Sequence, residues 1–388
     1  MRSAVYILVA ALGVGIGEGR AAAQTVDHAA VARRVLAVTP LIDGHNDLPI
    51  AIWESAAGPG DVAAAAHDLR ASTPFHTDLP RLRAGMVGGQ FWSVYIPYTP
   101  ADSGAAKRQL EQIDIALQII GRYPDALELA LDASDVEQVF ASGRVASLLG
   151  IEGGHAIENS LGALRAYHAM GVRYMTLTHN SSLDWADAGS GEHTHGGLTE
   201  FGREVVREMN RLGMLVDLAH TSPETMNDAL DVSEAPVIWS HAGANGVREH
   251  ARNVPDQVLR RLPDNGGVVM VMFYPPFISA REEATLPDVA DHVEHVAALA
   301  GVDHVGIGSD FDGIDEVPVG LEDVSTFPAL FAELSRRGWS EVDLAKLAGE
   351  NVLRVMREAE AVARRLQRER APSTKTIEEL DRQAGGAR

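Results

Sequence analysis

The chain has 388 residues, 46% of them hydrophobic, enough to bury one large core or two smaller ones. Its 33 basic residues against 54 acidic ones give a formal charge of −21 with no concentrated basic patch. That balance argues against nucleic acid and anionic membrane surfaces as partners. Cysteine is absent, which excludes disulfides and a lipid carried on an N-terminal Cys.

Residues 1–23 read as a targeting signal. Met1-Arg2 is a short basic start, Ala4 to Ile16 is an apolar run too short to span a bilayer comfortably, and Ala21-Ala22-Ala23 offers an A-x-A cleavage site. Cleavage after Ala23 is expected, giving an exported, periplasmic or secreted product. The C-terminus, Ser373 to Arg388, is polar and lacks the apolar tail of a GPI signal, so no stable membrane anchor is expected after cleavage.

After the signal, the spacing predicts a helix over Val26 to Val38, ended by Pro40. A short apolar strand then runs into His45-Asn46-Asp47, where residues i and i+2 can aim at one point. Residues 55–83 read as irregular loop and short helix. Gly88 to Pro97 is a strand and Ser103 to Arg122 a helix. From there strand and helix alternate. Val145 to Ile151 is a strand ending at Glu152, followed by a helix over Leu161 to Met170. Val172 to Thr178 is a strand ending at His179, followed by a helix over Glu200 to Leu212. Met214 to Ala219 ends at His220, with a helix over Ser222 to Leu230. Pro236 to Ser240 ends at His241, Gly267 to Tyr274 is a strand, and Val289 to Ala300 is a helix. His304 to Ser309 ends at Asp310, and Phe327 to Arg337 and Glu341 to Glu358 are closing helices.

Eight strands separated by helices imply a parallel sheet and, at this length, a (β/α)8 TIM-like barrel over residues 24–364. The doubly wound alternative calls for a Gly-rich phosphate loop after an early strand, and neither G-x-G-x-x-G nor a Walker pattern is present there. Residues 365–388 read as a charged helix leading into a disordered tail.

Every ligand-type residue collected above ends a strand, at the face where such barrels place their active sites. His45, Asp47, Glu152, His179, His220, His241 and Asp310 are too many for one tetrahedral ion. They suit two ions roughly 3.5 Å apart that share a bridging carboxylate. The chain's only lysines, Lys107, Lys346 and Lys375, end no strand, which leaves Glu152, in its apolar and glycine setting, as the natural bridge. His155, His193 and His195 are read as non-ligands, the last two within a mobile Gly-rich edge of the cavity (Gly189 to Gly197). Asp312 and Asp315 are read as turn or solvated loop residues.

Together these residues carry a likeness to a known family. IDGHNDLP (Ile42 to Pro49), GGQFWSVYIP (Gly88 to Pro97), GIEGGHAI (Gly150 to Ile157), RYMTLTHN (Arg173 to Asn180), FGREVVREMNRLGMLVDLAHTS (Phe201 to Ser222), WSHA (Trp239 to Ala242), ARNVPD (Ala251 to Asp256) and GIGSDFDG (Gly306 to Gly313) resemble the membrane dipeptidase (renal dipeptidase) family of metallopeptidases. The resemblance spans about residues 35 to 356. It implies two Zn²⁺ per chain, one on His45, Asp47 and Glu152 and the other on Glu152, His220 and His241. It also implies that His179, Arg252 and Asp310 contact the substrate, with Tyr95 at the cavity wall, and that the protein is a homodimer. The implied reaction is hydrolysis of free dipeptides, including those with a C-terminal D-residue, by a hydroxide bridging the two ions. Glu152, His179 and Asp310 would be the catalytic residues: His179 at the developing oxyanion and Asp310 at the substrate amine and leaving nitrogen. Arg252 would grip the terminal carboxylate. The nitrogen and oxygen ligand set also suits cobalt or manganese. Two alternatives stay open from sequence: a two-metal hydrolase of another amide, such as a β-lactam or an N-acyl amino acid, and a secreted metal- or peptide-binding protein without catalysis.

Overall fold

Eight of nine parallel strands close on themselves in the computed structural model, which describes residues 26–381 together with Met1 and Ala4. The expected signal segment with its cleavage point at Ala23, and the last residues of the tail, lie outside the described residues. In chain order the strands are β1 (Leu41–Asn46), β2 (Val87–Ser93), β3 (Leu127–Leu129), β4 (Val145–Glu152), β5 (Val172–Thr176), β6 (Leu215–Asp217), β7 (Ile238–Ala242), β8 (Val268–Val271) and β9 (Val305–Ile307). The sheet order is β2-β1-β9-β8-β7-β6-β5-β4, and pairing of β2 with β4, from Gly89 opposite Ala146 to Ser93 opposite Gly150, completes the ring. The expected (β/α)8 barrel is therefore present. β3 is an addition to it, a three-residue strand pairing with the first residues of β4 (Leu127 opposite Val145) outside the ring. β3 is not among the strands read from the sequence.

The period of two decides what each strand residue packs against. Ile42, Phe91, Leu148, Tyr174, Ile238 and Met270 share one buried cluster. Their chain neighbours Leu41, Trp92, Leu149, Met175, Trp239 and Val271 belong to the larger cluster shared with the helices. Strands buried on both faces explain why these segments are nearly continuous apolar runs. One glycine makes the filled interior fit: a Cβ on Gly150 would stand 2.0 Å from the Tyr174 ring, so the tyrosine occupies the room that a side chain there would need.

The helices follow their local signals. Glu200–Leu212 starts at Thr199, whose hydroxyl accepts from Gly202 N, buries Phe201, Val205, Val206 and Met209 on one face, and stops at Gly213 with φ 80°. The last long helix, Asn351–Glu369, runs past the expected end of the domain. The charged helix expected there ends at Glu369, and the described residues after it are tied down: Ser373 O accepts from Arg165, and Asp381 accepts from Thr199 Oγ1 (2.7 Å) and Phe201 N (3.1 Å). Ile377 and Leu380 pack against the main core. The composition of this strap is charged, and the few residues that tie it down are too sparse to form a periodic signal. Among the described residues no helix is long and apolar enough to cross a membrane.

Candidate metal centre

The C-terminal ends of β1, β4, β6 and β7 bring five side chains within ligand distance of each other. His45, Asp47 and Glu152 form one group of potential ligands, and Glu152, His220 and His241 form a second, so Glu152 belongs to both. A third grouping, His45, His241 and Asp310, overlaps them. Across the groups, His45 Nε2 lies 3.1 Å from Asp47 Oδ2 and 3.7 Å from Glu152 Oε2. On the other side, Glu152 Oε1 is 2.8 Å from His220 Nε2 and 3.5 Å from His241 Nε2. The two carboxylate oxygens of Glu152 thus face different halves of the site.

The backbone reaches this arrangement by leaving regular strand geometry. Asp47 stands at the N-cap position of the helix Leu48–Glu54 just after β1, its side chain left free of a capping bond, and the register of β1 slips between Asp43 and Asn46. The convergence of His45 with Asp47 is real, but it comes from this strand-to-helix turn and not from an unbroken period of two. His220 and Asp310 take positive φ (65° and 68°), a conformation that costs an L-residue energy and concentrates at functional sites. Gly313 is required beside them: a Cβ there would meet Asp47 Oδ2 at 2.1 Å and Asp310 Oδ1 at 2.8 Å.

Each imidazole is held from behind. His45 Nδ1 pairs with Tyr174 OH (2.8 Å), His220 Nδ1 with Asn180 Oδ1 (3.1 Å) and His241 Nδ1 with Ser240 Oγ (2.9 Å). All three Nε2 atoms therefore point into the common space, as metal-binding histidines require. A cation fits here on the donor chemistry alone. His45 Nε2 and Asp47 Oδ1 are buried without a hydrogen-bond partner, an arrangement that is costly unless something else satisfies them.

The electrostatics agree. Burial, reinforced by Arg252 and His179, holds His220 well below the ordinary histidine value. Burial and the neighbouring His45 and His220 do the same for His241. Both are neutral lone-pair donors. Burial also opposes charge on His45, yet Tyr174, Asp47 and Glu152 outweigh it and hold its pKa well above the ordinary value. Burial disfavours the Glu152 carboxylate, but His179, His45 and His220 bring its pKa well below the usual range. A site that attracts a proton so strongly between two carboxylates will attract a dication there.

The remaining expected residues border a cavity of about 330 Å³ above this centre. His179 Nε2 is 3.7 Å from Glu152 Oε1, and its ring centroid is 4.9 Å from that of Tyr95. Arg252 is buried, and none of its three guanidinium nitrogens has a hydrogen-bond partner; its charged end lies 5.7 Å from the Phe277 ring centroid. Burial lowers its pKa to about 10, so it remains a cation at neutral pH. Asp310 lines the same cavity, its pKa raised well above the carboxylate range by burial and by Asp47 and Glu152.

Two expectations change. Asp312 is a turn residue as read, but its side chain is buried, Oδ1 accepts from His76 N, and it lines the cavity because the turn after β9 folds inward. Asp315 is an exposed loop residue, as read, at the cavity mouth. The Gly-rich loop does not edge this cavity. Asp187 gathers it by accepting from the backbone of Thr194, His195, Gly196 and Gly197, and it borders a separate polar cleft of about 1090 Å³ against residues 373–381. His155, His193 and His195 stay outside the ligand groups, as expected. Two buried aspartates were missed. Asp43 accepts from Ser309 N and Oγ (both 2.7 Å), and Asp217 from Ser240 N (2.8 Å) and Oγ (2.7 Å). Their signal was an acidic residue inside an apolar strand (LIDGH, LVDLAH), which has to be partnered when buried.

Known proteins share this fold. The family profile described as Membrane dipeptidase (Peptidase family M19) matches residues 29–370. A metallopeptidase from Rhodobacter sphaeroides, solved with a phosphinate mimic of the dipeptide L-Ala-D-Ala, is 26% identical, with a TM-score of 0.75 over 83% of this chain and 99% of its own. The crystal structure of the metallopeptidase dipeptidase AC is 28% identical, with a TM-score of 0.74 and the same coverage of both chains. An amidohydrolase from Pseudomonas aeruginosa is 25% identical, with a TM-score of 0.72 over 84% of this chain and 98% of its own. The chain belongs to the membrane dipeptidase family of metallopeptidases, hydrolases acting on peptide bonds.

Proposed function

We propose that the protein hydrolyses free dipeptides with two zinc ions, one on His45, Asp47 and Glu152 and one on Glu152, His220 and His241. The observation that carries this reading is a buried guanidinium and a carboxyl group lining one small cavity over the metal centre. Arg252 is a buried cation whose donors lack any partner, and Asp310 is a carboxyl on the facing β9 loop. At about 330 Å³ the cavity is at the small end of ligand pockets, which run from about 300 to 1,000 Å³. A site that takes a carboxylate at one end and an amine at the other admits a substrate two residues long and excludes longer chains.

When bound, the zinc ions supply an activated water at neutral pH and a Lewis acid for the scissile carbonyl. The protein groups do the rest. Arg252 binds the terminal carboxylate through a two-point fork and so fixes the position of the peptide bond. His179, beside Glu152, donates to the carbonyl oxygen as it gains charge. Asp310 accepts from the free amine, takes up the proton shed by the attacking water and passes it to the leaving nitrogen. The relative that binds a mimic of L-Ala-D-Ala supports tolerance for a C-terminal D-residue. Export forms part of the proposal and rests on the pattern from Met1 to Ala23 alone.

The test is zinc content and hydrolysis of a dipeptide panel on one purified sample, with Glu152→Gln beside it. About two zinc ions per chain, and a loss of at least about a thousandfold in turnover for the variant, are expected. One ion or none, with the panel left uncut, would overturn the reading.

A further inference from the structure

Of the three imidazoles facing the centre, one is backed, through a serine, by a carboxyl group. Ser240 Oγ lies 2.9 Å from His241 Nδ1 and 2.7 Å from Asp217 Oδ2. Asp217 is buried at the end of β6 and receives four donors. Ser240 N (2.8 Å) and Ala219 N (3.1 Å) meet Oδ1, and the hydroxyls of Ser240 and Thr176 meet Oδ2. Two of these donors are backbone N–H groups that can only donate, so the carboxylate is filled as an acceptor. His45 is backed instead by a phenol and His220 by an amide, each a single neutral partner.

We infer that Asp217 is a positioning residue that sets the tautomer of His241 through Ser240. The serine has one proton. With that proton directed to Asp217, its oxygen can only accept from His241, which requires the ring's proton to sit on Nδ1. Nε2 is then left with a free lone pair facing Glu152 and His220. Reversing the polarity of the acceptor reverses the chain. In Asp217→Asn the backbone donors of Ser240 and Ala219 keep the amide oxygen on their side and turn the NH₂ toward the hydroxyls. Ser240 then accepts from the amide and donates to His241 Nδ1, the ring proton moves to Nε2, and the lone pair needed by the metal disappears. The consequence is specific to one half of the centre, because His45 and Asp47 hang on other supports.

This inference rests on His241 being a metal ligand, and the experiment separates the two. Zinc affinity is measured on the full chain by competition with a chromophoric chelator, with far-UV circular dichroism on each sample. The variants are Asp217→Asn, Ser240→Ala, the double variant and His241→Ala. Asp217→Asn is expected to weaken one of the two zinc sites by about 10- to 100-fold and to leave the other unchanged. Ser240→Ala, which frees the ring without forcing the wrong tautomer, is expected to weaken the same site less. The double variant should bind zinc better than Asp217→Asn alone, a reversal that a merely structural aspartate would not produce. Unchanged affinity in Asp217→Asn, or a double variant weaker than both single ones, overturns the inference. If Asp217→Asn fails to fold, full affinity in Ser240→Ala overturns it equally. If His241→Ala keeps both zinc ions, the ligand assignment itself fails.

Discussion

Buried histidines occur in two regions of this molecule, and their ring nitrogens are treated in opposite ways. In the outer layer, His67 pairs through Nδ1 with Asp61 O (2.7 Å) and through Nε2 with Ser55 Oγ (2.8 Å). His292 accepts from Ala244 N at Nδ1 (2.8 Å) and pairs with Ile278 O at Nε2 (3.0 Å). Both are finished: each nitrogen has a protein partner, as buried polar groups normally do. At the barrel mouth, His45, His220 and His241 each have a protein partner behind Nδ1, while Nε2 is turned toward carboxylates and toward one another. His220 Nε2 and His241 Nε2 stand only 2.9 Å apart. Burial alone therefore says nothing about function. The number of nitrogens left facing other ligand groups does.

Removing metal should separate the two regions most sharply. Dialysis against a chelator is expected to reduce dipeptide hydrolysis to background and to lower the Tm by several degrees. A site filled at 1,000 times its Kd contributes about 4 kcal/mol to stability. Zinc added back should restore both. In His292→Gln the activity lost to the chelator and regained with zinc should be the same as in wild type. A His292 variant that lost zinc, or a native protein whose Tm ignored the chelator, would erase the distinction.

The second effect in size belongs to Arg252, a fully buried cation at the mouth whose guanidinium nitrogens have no hydrogen-bond partner. Arg252→Met removes the donors for the substrate carboxylate and is expected to raise KM about 100-fold, near the 1.5–3 kcal/mol of a charged hydrogen bond. It also removes an unpaired buried charge. The Tm of the substrate-free protein should therefore hold steady or rise. Zinc content should be unaffected. An unchanged KM would take Arg252 out of the site.

The mouth was legible in the sequence to the extent that topology does the assembling. In a parallel barrel every strand delivers its last residue to the same face, so Glu152, His220, His241 and Asp310 could be collected without any knowledge of distances. What lay beyond reach depends on register between strands. That Asp217 on β6 meets Ser240 on β7, and Asp43 on β1 meets Ser309 just past β9, follows from how far each strand is shifted along its neighbour. A hydrophobic pattern carries no such information. The inward turn that buries Asp312 and the strap at residues 373–381 escaped for a related reason. Each is held by a few specific hydrogen bonds, and neither has a period. The finished histidines would have been indistinguishable from ligands had they ended a strand.

The smallest expected effect tests the outer region on its own terms. His292 must be neutral where it sits, because its Nδ1 accepts from a backbone N–H. Burial lowers its pKa to about 4, against about 6.5 in the unfolded chain. Protonation thus favours unfolding. The stability tied to the neutral ring is fully present above pH 6.5 and is lost as pH falls from there through 4. The shift of about 2.5 units corresponds to at most about 3 kcal/mol. Gln at this position cannot titrate, so His292→Gln should cost about 1–2 kcal/mol at pH 7.5, mainly through the backbone partners it meets less well. Below pH 6.5 the wild type loses its advantage and the variant does not. The gap in unfolding free energy by urea titration should therefore close below pH 6.5 and reverse in favour of the variant by pH 4.5. The ligand histidines are common to both proteins and cancel in the difference. A gap that stays constant from pH 7.5 to 4.5 would show that His292 keeps an ordinary pKa and that the outer layer lets it take up a proton without unfolding.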